Sequence, residues 1–209
     1  MDAPLPRSFY DGNVCDVAQR LLGQVFIRIL PDGSRLAGRI AEVEAYAQDG
    51  DPASHSCRGR TERNAVMFGE AGRLYVYFTY GMHFCCNVVT GPEGQGDAVL
   101  IRALEPLEGR DIMARHRYGR TLITEREERN LLNGPAKLCK AFGIDRKMNG
   151  CDLCGETVRI VSGNTPRPPH IGRSSRIGIG SGSELAWRFF IPESDWLSKP
   201  GKGIFRNEP

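Results

Sequence analysis

Two carboxylates two residues apart, Glu42 and Glu44, sit in a run from Leu36 to Tyr46 that reads as a strand. Alternation places Ile40, Glu42, Glu44 and Tyr46 on one face and Ala41, Val43 and Ala45 on the other. With about 3.3 Å of rise per residue the two acids lie roughly 7 Å apart. Mutual repulsion at that range would raise one pKa and leave a base able to activate water. The same spacing also describes a solvated strand face held by salt bridges. Tyr46 beside Glu44 adds an aromatic surface suited to a flat polar ligand.

A second cluster is aromatic. Tyr75, Tyr77 and Tyr80 fall within six residues, and Tyr75 and Tyr77 share a face opposite Val76 and Phe78. Buried tyrosines need hydroxyl partners, so this density reads either as a working surface or as an aromatic cross-strand ladder. Tyr80 and Met82 flank Gly81 at a turn, in the manner of apolar wedges pushed into a minor groove. His55 lies in a basic loop with Arg58, Arg60 and Arg63, a composition that can hold phosphates. Lys137 and Lys140 fall early in a helix opening at Gly134-Pro135, where free amides favour anions. Cys151 and Cys154 form a CxxC without a second pair at zinc-finger spacing, so structural thiols are expected and no metal. Gly178, Gly180 and Gly182 lack the strand–turn–helix context of a dinucleotide site, and read as a close backbone approach in a strand or beside a ligand.

These residues must be positioned by a chain of 209 residues, 40% hydrophobic and 25% charged, with 25 Gly and 13 Pro. That composition suits one sizeable core and a turn-rich α+β fold. One domain over 1–209 is expected, with a mixed or antiparallel sheet, surrounding helices and a protruding hairpin. Asp16–Leu22 reads as a helix, and Gln24–Leu30 and Leu36–Tyr46 as a hairpin around the turn at 31–34. Residues 47–63 read as a long loop, of the length that usually serves function. Arg73–Val89 reads as strand–turn–strand, 98–106 as a buried strand, and 107–142 as helical with a break at Asn133-Gly134-Pro135. Turns and short strands follow Cys151.

No apolar run approaches the ~20 residues that cross a bilayer. Acids and prolines occupy the N-terminus where an export signal would be basic and then apolar, so a cytoplasmic protein is expected. Its seven cysteines are accordingly expected to be reduced and mostly buried. Residues 1–55 carry five basic and eight acidic side chains, and the remainder carries 23 and 17, so the later part has a surplus of six positive charges. That skew is compatible with a polyanionic partner.

Taken together, the blocks Glu42-Val-Glu-Ala-Tyr46, Ser54-His-Ser56, Arg63-Asn64, Met67-Phe68, Leu74-Tyr-Val-Tyr77, Tyr80-Gly-Met82, Asn87, Leu104-Glu-Pro-Leu-Glu-Gly109 and Gly134-Pro-Ala-Lys-Leu-Cys139 resemble the alkyladenine (3-methyladenine) DNA glycosylase family, the β-hairpin type without a helix-hairpin-helix. The resemblance runs from about Leu5 to Trp196. It implies a base-excision enzyme that flips alkylated or deaminated purines from duplex DNA and hydrolyses the glycosidic bond as a monomer, without a cofactor. Glu44 matches its general base, Arg102 an arginine orienting the water, and the Ile177 carbonyl a third water ligand. Tyr46, His55 and Tyr77 match residues enclosing the flipped base, and Asn87 a side chain that disfavours the amine of guanine. Tyr80 matches the intercalating residue, and Met82, Arg60, Thr61, Arg63, Lys137 and Arg146 match DNA contacts. His83 departs from the pattern, standing where a phenol is common. Cys57, Cys151 and Cys154 also have no counterpart with a role.

Two other classes compete. A non-catalytic nucleic-acid module could use the same sheet, hairpin and basic helix, but would not need Glu44, Arg102 and the pocket aromatics together. A glycoside hydrolase using Glu42 and Glu44 would need its acids on opposite sides of a sugar, which one strand face does not provide.

Overall fold

The computed structural model describes residues 3–163, 170–200 and 204–205. Its helices are α1 (Val14–Leu21), α2 (Arg110–Tyr118), α3 (Glu125–Arg129) and α4 (Pro135–Phe142). The strands are β1 (Val25–Ile29), β2 (Arg35–Tyr46), β3 (Leu74–Thr79), β4 (His83–Thr90), β5 (Asp97–Glu108), β6 (Val158–Val161), β7 (Gly172–Ser174), β8 (Arg188–Phe190) and β9 (Ile204–Phe205). They form one antiparallel sheet in the order β3-β4-β5-β2-β8-β7-β9, with β1 bridging β2 and β6. The expected α+β class and the hairpin are both present.

The twelve-residue β2 and β5 form the spine. α1 packs on β2 and β5, and α4 packs on β4 and β5. Between helices and sheet lies the main core, which includes Val43, Ala45, Val76, Cys86, Val88, Val99 and Ile101. Alternation sends their neighbours to the opposite face. There Glu44, Leu100, Asn87 and Tyr75 stand in one register row across β2, β5, β4 and β3. The sheet is therefore a partition, with apolar packing behind it and chemistry-bearing groups in front.

One face assignment from the sequence is corrected. Ile40 belongs to the main core with Val43 and Ala45, and not with Glu42 and Glu44. Pairing with β5 is irregular between Ile40 and Val43, where Ala41 of β2 and then Arg102 of β5 each stand without a partner, so that β2 carries a residue outside the alternation. Such a bulge reverses the parity of alternation along a strand.

Boundaries moved for local reasons. α1 starts at Val14 because the Asn13 side chain accepts from the Cys15 N–H at 2.9 Å, capping the helix two residues before the expected start. The expected helical stretch 107–142 is also broken at Gly119, which ends α2 in a left-handed conformation. Thr124 restarts it through a capping box with Glu127. Three of the seven free cysteines are buried, three are partly buried and Cys57 is exposed, so burial is less general than expected.

The long loop 47–63 contains no strand but is internally bonded. Asn64 Nδ2 donates to the carbonyls of His55 (2.8 Å) and Gly59 (3.1 Å), and Ser54 and Ser56 share a buried hydroxyl contact of 2.7 Å. No helix among the described residues is long and apolar enough to cross a membrane.

Candidate active site

A cavity of about 480 Å³ opens on the front of the sheet. Its walls include Tyr46, His55, Tyr75, Tyr77, Asn87 and Arg102. Ile177, Gly178 and Gly180 close one side, so the glycine-rich segment is an approach beside a cavity rather than part of a strand. The volume falls within the ~300–1,000 Å³ typical of small-molecule sites.

Glu44 is fully buried, and each group that touches its carboxylate lines the cavity. Ile177 N–H donates to Oε1 at 2.7 Å. The Tyr46 hydroxyl and Arg102 Nη1 donate to Oε2 at 2.9 and 3.0 Å. The sequence pointed to the Ile177 carbonyl; its N–H is an additional contact, one that residue identity cannot reveal because every non-proline backbone has it.

Glu42 is equally buried but differently occupied. It accepts from Arg102 Nε (2.9 Å) and Arg188 Nε (2.8 Å), and from both the N–H and the hydroxyl of Ser198 (2.7 Å each). Arg102 thus lies between the two acids, one nitrogen on each. With Arg188 the layer holds two carboxylates and two guanidiniums, formally neutral and almost without solvent.

The two acids are pushed apart in proton affinity. Burial raises Glu44 above the ordinary carboxylate range, and the opposing pull of Arg102, the Ile177 N–H and Tyr46 does not cancel it. Burial also penalises Glu42, yet Arg188, Arg102 and the Ser198 N–H outweigh it and hold Glu42 below that range. Repulsion between the acids is the smallest contributor to Glu44, so the split expected from their spacing arises mainly from burial and unequal partners.

The aromatic wall is equally specific. Tyr75 and Tyr77 stack with ring centroids 5.5 Å apart, and His55 meets Tyr77 edge-on at 4.6 Å. His55 Nδ1 is 3.1 Å from the Tyr75 hydroxyl. Desolvation of its ring and then Arg63 lower the His55 pKa, although the residue as a whole is exposed. Burial raises Tyr75 to about 12, which keeps its hydroxyl protonated. Asn87 is fixed by donating to the Tyr75 carbonyl at 3.2 Å.

Above the cavity stands the turn Thr79–Met82. Tyr80 has a φ of +50°, the only positive φ at a non-glycine among the described residues, and its neighbour Gly81 has +66°. Met82 N–H donates to the Thr79 carbonyl at 3.3 Å. Tyr80 is 83% exposed and Met82 70%, and Tyr80 also reaches the cavity rim. A bulky residue held in the left-handed region costs on the order of 1–3 kcal/mol and persists where its surroundings impose it.

Of the remaining expected DNA contacts, none lines the cavity, and Arg63 lies against one of its walls. Arg60 and Thr61 are exposed on the loop. Arg63 lies 5.9 Å from the Tyr77 ring centroid and donates to the Phe78 carbonyl. Lys137 Nζ is held by Asn130 and Asn133 at 3.0 and 2.7 Å, just after the rim residue Pro135. Arg146 is exposed in a short 3-10 turn whose neighbour Asn149 accepts the Val76 N–H of β3, and it does not line the cavity. Residues missed by sequence reasoning are Asp51, Arg176, Arg188 and Ser198. They act through contacts spanning 100 or more positions in most cases, and no local pattern marks them.

Comparison with known proteins shows the family. The family model described as methylpurine-DNA glycosylase matches residues 8–195. A Burkholderia lata protein named "Putative 3-methyladenine DNA glycosylase" is 48% identical over 200 residues, covering 95% of this chain and 92% of its own. Proteins with the same name from Carboxydothermus hydrogenoformans (48% identical; 93% and 98% covered) and Streptomyces avermitilis (43%; 93% and 91%) are also similar.

Proposed function

This chain belongs to the methylpurine-DNA glycosylase family, and on that premise we propose that residues 1–209 act as one base-excision enzyme on damaged purines in duplex DNA. The observation that carries the reading is Glu44, a buried carboxylate of raised proton affinity whose three partners all line an aromatic cavity. A glycosidic bond inside a duplex is out of reach, so the nucleotide must be turned out at a cost of a few kcal/mol. Damaged bases stack and pair less well, which lowers that cost. Tyr80, exposed at the hairpin tip, fills the space left in the stack with Met82 wedged beside it, and the arginines of the basic loop hold the backbone.

Inside the cavity the base lies among Tyr46, His55 and Tyr77. A cationic alkylpurine gains roughly 0.5–2 kcal/mol from the tyrosine faces, which a normal purine does not. Asn87 opposes the exocyclic amine of guanine. As the bond breaks, its electron pair leaves with the base and C1′ takes oxocarbenium character. Glu44 stabilises that charge and directs a water to C1′, with Arg102 and the Ile177 carbonyl orienting it. The water oxygen bonds to C1′, and Glu44 takes its proton. The product is an abasic site. Among the described residues no lysine lines the cavity to form a Schiff base, so strand cleavage is not part of the proposed reaction.

The test is single-turnover excision from duplexes carrying one hypoxanthine or ethenoadenine, with alkali revealing abasic sites. Glu44→Gln is expected to lose about 10²–10⁴-fold in rate while still binding an abasic-analogue duplex. Tight duplex binding by a wild type that excises neither of these lesions nor methylated purines would instead make the chain a binding module.

A further inference from the structure

Behind the aromatic wall lies a second buried ion pair that takes no part in the chemistry described above. The side chains of Arg176 and Asp51 are both fully buried, and neither lines the cavity. They meet as a fork, with Nη1 2.5 Å from Oδ2 and Nη2 2.6 Å from Oδ1. A buried pair of this kind is a weak source of stability, because desolvation consumes most of the attraction. Arg176 Nε moreover has no partner. The arrangement is better explained by what the pair holds in place.

Asp51 also accepts the N–H groups of Ala47 (3.2 Å) and Ala53 (3.0 Å), which fixes the chain as it leaves β2 and runs toward His55. Arg176 donates to the Ala45 carbonyl at 2.9 Å and lies 4.5 Å from the centroid of the Tyr46 ring. It also donates to the Gly182 carbonyl at 3.4 Å, across the base of the glycine-rich loop. There a Cβ on Gly182 would stand 3.0 Å from Arg176 Nη2 and 3.3 Å from Asp51 Oδ1, and its φ is +68°. The next residue after Arg176 is Ile177, whose N–H rests on Glu44.

We infer that Asp51 and Arg176 are a positioning pair, which joins the segments bearing Tyr46, His55 and Ile177 into one rigid body and keeps the Ile177 N–H on the Glu44 carboxylate. This rests on the reading of Glu44 as the base. Loosening the pair withdraws an N–H that favours the Glu44 anion, so the carboxylate then binds its proton more tightly.

Asp51→Asn and Arg176→Lys, singly and together, test the pair, since the lysine keeps a charge but loses the fork and remains usable if the asparagine variant does not fold. Two readouts are needed: the pH dependence of single-turnover excision, and amide hydrogen exchange over residues 46–57 and 174–183. Each single variant is expected to lower excision at neutral pH about 10–100-fold, the penalty of a small misplacement of reacting groups. The acid limb of the profile is expected to move to higher pH, and both segments should lose protection together. Affinity for an abasic-analogue duplex should stay within about threefold, and the double variant should be no worse than the worse single, as for groups acting as a unit. An unmoved acid limb, or lost protection confined to the substituted segment, overturns the inference. Absence of excision by the wild type would instead defeat the functional reading, and coupled exchange of the two segments would then decide the pair by itself.

Discussion

The hairpin tip and the charged layer beneath the cavity each reverse the usual partition between surface and interior. At the tip, Tyr80 and Met82 stand in solvent on a strained turn. In the layer, Glu42, Glu44, Arg102 and Arg188 are removed from water and satisfied by one another. The tip is a local feature, made by neighbouring residues and open to change without unfolding anything. The layer is non-local, built from β2, β5, β8 and the segment at Ser198, so its parts depend on the whole sheet. The comparison teaches that an unfavourable placement of apolar surface can be borne by one turn, whereas an unfavourable placement of charge has to be borne by the fold.

The sharpest way to break the comparison is to remove one charge from the layer. Glu42→Gln leaves two guanidiniums facing a single carboxylate, and breaking a buried pair in this way costs about 3–5 kcal/mol. Denaturant unfolding should show that loss. Because the folded protein holds Glu42 below its unfolded pKa, its contribution is complete above the unfolded value and disappears as pH falls through the folded one. The destabilisation should therefore shrink in acid. Glu44→Gln should behave in the opposite sense. Its folded pKa is raised, so its ionised form costs stability at neutral pH, and the neutral amide, although it too removes a partner of Arg102, should cost less than Glu42→Gln while excision is lost.

The next effect is on the pH profile. Excision by the wild type should fall as acid protonates Glu44, with a limb above the ordinary carboxylate range. Glu42→Gln removes a neighbouring negative charge and should move that limb to lower pH. Loosening the Asp51–Arg176 fork moves it the other way, so opposite shifts separate the two buried clusters.

At the tip, Tyr80→Gly should trade function for stability. Relief of the left-handed tyrosine is expected to stabilise the fold by up to about 1 kcal/mol, read as a higher unfolding midpoint. Excision from duplex should nevertheless fall by roughly tenfold or more, in line with the ~1–3 kcal/mol that base–aromatic stacking supplies. A stable, fully active glycine variant would remove the tip from the mechanism. The smallest effect is reserved for a site far from both regions. Thr124→Ala deletes the capping box of α3 and should cost about 1 kcal/mol, seen as a fall of about 2–4 °C in Tm, with the acid limb unmoved.

Much of this was legible from residue order. The strands around Glu44 and Tyr77, the turn at Tyr80 and the helix at Pro135 all follow from local periodicity and turn chemistry, which act over a few residues. The burial of Glu42 was not legible, because its spacing fits a solvated face equally well until Arg188 and Ser198 arrive from the far end of the chain. Asp51 and Arg176 stand 125 positions apart and carry no motif, so only the fold brings them together. The phase of β2 was misread at Ile40 for a similar reason: an inserted residue is visible in pairing and invisible in composition.

That inserted residue gives β2 a length that cannot be edited freely. Upstream of it, even-numbered residues such as Leu36 and Ile40 face the packed side, and downstream odd-numbered ones such as Val43 and Ala45 do. Removing one codon at Ala41 would restore simple alternation with every side chain on its present side, because Ile40, Glu42, Val43 and Glu44 already alternate once it is gone. Removing one codon at Val43 instead would drive Glu44 into hydrocarbon and turn Ala45 to the opposite side. A spatial reading frame thus runs through β2 alongside that of its gene, and Ala41 is the one residue that lies outside its phase.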